Sequence, residues 1–229
     1  MFKVGLENNM DGHSIAWILG HPGCFANGKD GPKALAAVPQ AIQDYRGWIS
    51  LHTKNSWFPD SGMEYQVVET WECYSIDDNY ELDPDGEEID AWFRDDWHPL
   101  IAQDIEQGLQ LLRWVREELL NTVGNLSPDK LNRTYPNERW SIAGILNHIG
   151  GADWWYLDRF GLAFPREEVP GEPFERLEKV RQRLIDILPG LAGSKQVVGV
   201  FGEFWSPRKL LRRAVWHEAD HIAHIRKLL

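Results

Sequence analysis

Apolar residues recur at two different periods along this chain, and the period changes near residue 97. Residues 2–7 (FKVGLE) and 13–20 (HSIAWILG) alternate apolar and polar positions around the turn-rich NNMDG, which predicts two strands in a hairpin. HPGCFANGKDG supplies a further short strand between turn signals. Residues 32–52 (PKALAAVPQAIQDYRGWISLH) set Leu35, Val38, Ile42 and Tyr45 at helical spacing, with Pro39 as a blemish. Strand character returns over 64–74 (EYQVVETWECY). The order is a small ββ(β)αβ unit, one sheet with a helix on one face.

From residue 97 the pattern is helical. DWHPLIAQDIEQGLQLLRWVREELLNTVG carries Leu100, Ile101, Ile105, Leu109, Leu112 and Leu119, with Pro99 near its start. WSIAGILNHIGGADWWYLDRFG follows, with Ser141 placed to cap it. FERLEKVRQRLIDILPGL is a third amphipathic helix whose Arg and Glu residues form its solvated face, and SPRKLLRRAVWHEADHIAHIRKLL is the fourth. Four such helices, with one long connection between the second and third, predict a four-helix bundle and an α+β chain overall.

Between the halves lies SIDDNYELDPDGEEIDAWFRDD, acidic and turn-rich, which reads as a solvated linker. Asp83 and Asp85 suggest a calcium loop, but the Glu an EF-hand requires at its twelfth position is missing. The expected domains are residues 1–75, a linker over 76–96, and a bundle over 97–229.

Charge narrows the function. The net charge is −11, and residues 1–97 hold six basic against eighteen acidic side chains. Phosphate binding needs positive potential, so no nucleic-acid partner is expected. Cys24 and Cys73 form no C-x-x-C pair, which excludes a thiolate zinc cluster and fits free thiols in a reducing cytosol. With no signal-like N-terminus and no long apolar run, the chain is expected to be cytoplasmic, without a membrane partner.

The fourth helix contains His217-Glu218-Ala219-Asp220-His221, an H-E-x-x-H match. Residues four apart on a helix lie about 40° apart around its axis, so both imidazoles can reach one metal ion. A protease reading fails on the remaining requirements. The eight residues after His221 offer only His224 and no Gly-x-x-His extension. His217 and His224 stand roughly 10 Å apart along the axis, too far to share one ion. Asp220 also puts a charge between the two histidines. A third ligand must come from upstream, and His148 is the candidate, because Ile145, Ala152 and Trp155 share its helix face.

ERWSIAGILNHIGGADWWYLDRF followed by SPRKLLRRAVWHEADHIAHIRKL resembles the DinB/YfiT-like family of four-helix-bundle metalloenzymes, over roughly residues 97–229. The resemblance implies a metal triad of His148, His217 and His221 holding zinc, nickel or iron with open coordination positions. It also implies a small-molecule electrophile as substrate, with a low-molecular-weight thiol as cosubstrate of a transferase or isomerase. Metal-dependent hydrolysis is open on the same grounds. The catalytic residues stay unassigned. Two positions depart from the family's pattern: Gly144 stands where a capping Glu is frequent, and Ile222-Ala223-His224 where His-x-Gly-Gln is common.

Around the triad, Trp155, Arg213 and His224 are candidate pocket residues. Arg213 could clamp a carboxylate or pair with one of the many acids. His224 could touch a ligand, pair with His221, or lie on the surface. Glu218, turned about 100° from His217, reads as a supporting or surface group and not as a base. Pairing through exposed helix faces would give a homodimer.

GHSIAWILGHPGCFANGKDGPKALAAVPQAI resembles the HicB-like fold, over about the first 75 residues. In that family the fold serves antitoxins that cover a small RNase. No DNA-binding element accompanies it here, so a fused structural or ligand-sensing module is expected. The alternative to an enzyme is a binding or sensor protein working through this part.

Overall fold

The computed structural model describes residues 1–229. Two compact units divide the chain: Met1–His98 with Gly199–Lys209, and Pro99–Val198 with Leu210–Leu229.

The first unit is built on a four-stranded sheet of order β3-β2-β1-β4. Strands β1 (Phe2–Met10) and β2 (His13–Ile18) form an antiparallel hairpin with Gly5 opposite Trp17. Its turn passes through Asn9, Asp11 and Gly12, all at positive φ, as the turn-rich NNMDG predicts. β3 (Phe25–Gly28) pairs antiparallel with β2. β4 (Tyr65–Glu72) runs parallel to β1, with Val4 opposite Val67. Gly5 has no side chain because the ring of Phe93 lies where a Cβ would sit, 2.8 Å away.

Helix α1 (Gly31–His52) buries Val38, Ile42 and Tyr45 as its periodicity predicts, with Ala34 and Ile49 beside them, while Leu35 is only half-buried. Asp30 caps it by accepting from the Lys33 amide at 2.9 Å. Pro39 does not break it. Proline leaves the carbonyl four residues back without its helical donor, and here that carbonyl, on Leu35, accepts from the Tyr65 hydroxyl at 2.9 Å.

The structure differs from the sequence reading at the acidic segment. Residues 76–96 belong to the first unit and are not a solvated tether. β5 (Tyr74–Ile76) and β6 (Glu87–Ile89) pair antiparallel, and the chain then buries Ala91, Trp92 and Phe93. The anchor is Glu7, a fully buried carboxylate that accepts from the Ala91 amide and from Trp17 Nε1, each at 2.6 Å. Acidic composition hides this return, because the few apolar residues that fix it stand outside any period.

A second feature is a hairpin between the third and fourth bundle helices, β7 (Val198–Val200) and β8 (Glu203–Trp205), turning through Phe201 and Gly202 at positive φ. Three-residue strands are too short to show alternation. Glu203 accepts from Lys209 Nζ at 2.5 Å and from Trp205 Nε1 at 2.9 Å, so this lysine is buried with its charge paired.

The second unit is the four-helix bundle. Its long helices are α2 (Ala102–Val123), α4 (Ile142–Asp158), α5 (Pro173–Ile187) and α6 (Pro207–Leu228); α3 (Pro128–Leu131) is a single turn. One core joins Val115, Leu119 and Val123 to Ile142, Ile145, Ile149, Leu177, Ile222 and Ile225, drawn from all four. Ser141 caps α4 as predicted, its hydroxyl accepting from the Gly144 amide at 3.2 Å. α6 is more deeply placed than an amphipathic helix: Lys209–Glu218 is buried on every side. No helix is long and apolar enough to cross a membrane.

Candidate metal centre

α4 and α6 bring three histidines together. His217 Nε2 lies 3.0 Å from His148 Nε2 and 3.1 Å from His221 Nε2, and the donor atoms of the three all fall within 4.8 Å of one another. The helical spacing supplies the pair on α6. His148 reaches it because α4 packs Ile145 and Ile149 into the core beside α6.

The electrostatics favour neutral rings at His217 and His221. Burial, then the neighbouring His221 and His148, and then Arg213 and Arg181, hold His217 well below the usual imidazole range. Burial, then His148 and His224, bring His221 down to about 3. A neutral imidazole offers a lone pair on one ring nitrogen, which is what a metal ligand needs. In a tetrahedral site, bonds of about 2.0–2.1 Å set neighbouring donors roughly 3.3–3.4 Å apart. The observed separations come close to that edge, so the donor set fits one divalent ion. Three imidazole nitrogens are a donor set that suits a divalent transition-metal ion.

Aromatic rings wall the cluster. Trp140, at the entry to α4, stacks on His148 with centroids 4.6 Å apart, and the Arg139 guanidinium lies over the Trp140 ring, 4.6 Å from its centroid. Tyr156 presents its ring edge-on to His217 at 6.3 Å, and Trp216 adjoins the same histidine at 5.8 Å.

The other sequence candidates fall at varying distances from this point. His224 is neither an alternative ligand pair nor a free surface group: its Nε2 lies 2.9 Å from Glu138 Oε2. Arg213 is buried, with its guanidinium over the Trp216 ring at 4.5 Å. Trp155 lies under the Arg159 guanidinium at 3.9 Å, and it is the next residue, Tyr156, whose ring meets His217.

Glu218 is not a surface group. It is fully buried, accepting from Arg116 Nε at 2.6 Å and from Arg181 Nη2. Arg181 also donates to Asp153 Oδ2, at 3.0 Å from Nε and 2.8 Å from Nη2. This corrects the reading of α5 as carrying only solvated charges. A signal did exist: Arg116 shares the helix face of Leu112 and Leu119, and Arg181 that of Leu177 and Leu184, so each interrupts an apolar stripe.

The chain is 24% identical over 147 residues to a protein of Oceanobacillus iheyensis named "Putative metal-dependent hydrolase", covering 54% of this chain and 84% of the relative. Two solved structures are also similar, each at 19% identity. One is TT2238, a four-helix bundle protein, with TM-score 0.44 over 54% of this chain and 98% of that one. The other is YfiT from Bacillus subtilis, described as "a probable metal-dependent hydrolase with an unusual four-helix bundle topology", with TM-score 0.46 over 63% and 93%. A family model matches residues 111–225, from the middle of α2 into α6 and across all three histidines. The chain belongs to the DinB superfamily.

Proposed function

We propose that this chain is a metal-dependent enzyme acting on a small-molecule electrophile, with His148, His217 and His221 holding one zinc, nickel or iron ion. The observation that carries this reading is the convergence of three histidine Nε2 atoms from two helices. A bound ion of this kind supplies Lewis acidity, lowering the pKa of water or of a thiol and polarising a carbonyl.

The chain's own residues do the rest. The histidines, two on one rigid helix, fix the direction from which substrate must approach. Trp140, Tyr156 and Trp216 surround them with ring surface that limits water. Arg213 puts positive charge beside His217, suited to a carboxylate on the substrate or on a thiol. Glu218, tied to two arginines, is no general base.

Hydrolysis is supported by the name of the Oceanobacillus relative; thiol transfer is supported by the family resemblance and by the Arg213 charge. For the first unit we propose a HicB-like sensing module, supported by its ββ(β)αβ order.

The test is elemental analysis of the purified protein beside His148→Ala and His217→Ala. About one metal per chain, lost in both variants, is expected. Ester and amide substrates, assayed with and without small thiols, then separate hydrolysis from transfer. A wild-type chain that takes up no metal even after reloading would sink the proposal.

A further inference from the structure

The cluster of Arg116, Asp153, Arg181 and Glu218 takes one residue from each long helix of the bundle: α2, α4, α5 and α6 in that order. All four are buried, at 7%, 1%, 3% and 0% exposure. Two positive and two negative charges leave no net charge in the interior. Each arginine also crosses to the other's helix. Arg116 Nη1 donates to the Leu177 carbonyl on α5 at 2.6 Å, and Arg181 Nη1 to the Leu112 carbonyl on α2 at 2.9 Å.

Stability alone does not account for such a cluster. A buried ion group is on average no more stabilising than apolar residues of the same shape, since desolvation offsets the attraction. What it adds is direction. Apolar ridges tolerate small slides and rotations, whereas a carboxylate gripped from two sides is satisfied in one arrangement only.

Two members adjoin the histidines. Glu218 follows His217 on α6, and Asp153 lies five residues beyond His148 on α4. One residue of slip along a helix is about 1.5 Å, while metal–ligand distances tolerate only about 0.2 Å. Packing at α4 and α6 must therefore be set more finely than an apolar interface sets it.

We propose that this four-helix ion cluster positions the metal centre: Arg116 and Arg181 hold Glu218, and Arg181 holds Asp153, so that α6 and α4 present their histidines in register. The four are positioning residues, and the inference rests on the metal reading above.

The experiment measures Co(II) binding and its visible absorption bands, with the thermal midpoint of the metal-free protein measured alongside. Two variants are used. Arg116→Leu with Glu218→Leu removes one charge of each sign and leaves Arg181 paired with Asp153. Arg116→Lys keeps the charge and loses the forked geometry. The double variant is expected to fold with a midpoint near wild type, to bind Co(II) about 10–100-fold more weakly, and to show altered bands. Arg116→Lys should shift both readouts in the same direction, and it decides the matter if the double variant does not fold. A Kd within twofold of wild type with superimposable bands overturns the inference, whatever happens to the midpoint. Failure of the wild type itself to bind Co(II) overturns this inference and the metal reading together; a wild type that binds while both variants match it overturns this inference alone.

Discussion

Trp140 lies nearly flat against His148, with the ring planes 28° apart and centroids separated by 4.6 Å. The indole precedes the Ser141 cap of α4, so the turn that starts the helix also holds the imidazole it carries. Trp140→Ala should leave the bundle folded but free the His148 ring to rotate, weakening metal binding about tenfold, on the scale of other groups that orient a ligand. Trp140→Phe should recover most of that loss. Zinc competition titrations of the three proteins check it; equal affinity in all would remove the indole from the site's machinery.

Acid should destabilise the metal-free protein in a window set by its partly buried histidines. Burial brings His21 down to about 4 and His221 to about 3, against about 6.5 in an unfolded chain. As pH falls below about 6.5 the unfolded state takes up protons that the folded state refuses. The stability these residues contribute is therefore complete above pH 6.5 and is lost progressively toward pH 4 for His21 and pH 3 for His221. Unfolding midpoints at pH 7.5, 6 and 4.5 should fall in that order, and less steeply in His21→Gln. Midpoints that rise on acidification would contradict both assignments.

Glu7 should be among the most sensitive positions of the first unit. Its removal in Glu7→Ala strands two buried donors, Trp17 Nε1 and the Ala91 amide. At about 1–3 kcal/mol for each unsatisfied group, the loss should be roughly 2–6 kcal/mol. Urea unfolding followed by tryptophan fluorescence measures it. A loss below about 1 kcal/mol would mean that water replaces the carboxylate.

Tyr65 and Pro39 should be energetically coupled through a carbonyl neither of them owns. Tyr65→Phe removes the donor to Leu35 O and should cost about 1 kcal/mol. Pro39→Ala restores a helical donor to that same carbonyl. The tyrosine substitution should therefore cost measurably less in the Pro39→Ala background, and a double-mutant cycle in urea reads the difference. Additive effects would show that the hydroxyl serves no such purpose.

The parts of this protein legible in its sequence are those governed by local geometry. His217 and His221 lie on one face because a helix turns about 100° per residue, and Ser141 announces the start of α4. The inward face of His148 follows from Ile145 beside it. Trp140's stacking on His148 depends on the turn before α4, which periodicity does not describe. The charges were the harder case. Arg116 and Arg181 interrupt apolar stripes, but what they pair with is not local: the partners in this cluster lie 28 to 102 residues apart. Acidic residues 76–96 mislead in the same way: the Glu7 carboxylate on β1 that accepts from the Ala91 amide lies 84 residues away.

The first unit takes its final piece, residues 199–209, from beyond a hundred residues that belong to the other. On a ribosome, translation at about 5–20 residues per second separates the two pieces by roughly 5–20 s. Strands β1–β4 and α1 can associate early, but the buried Lys209–Glu203 pair is absent throughout that interval. The first unit is therefore complete only once the stretch of chain that begins α6 has been made, a few residues before His217 and His221 follow.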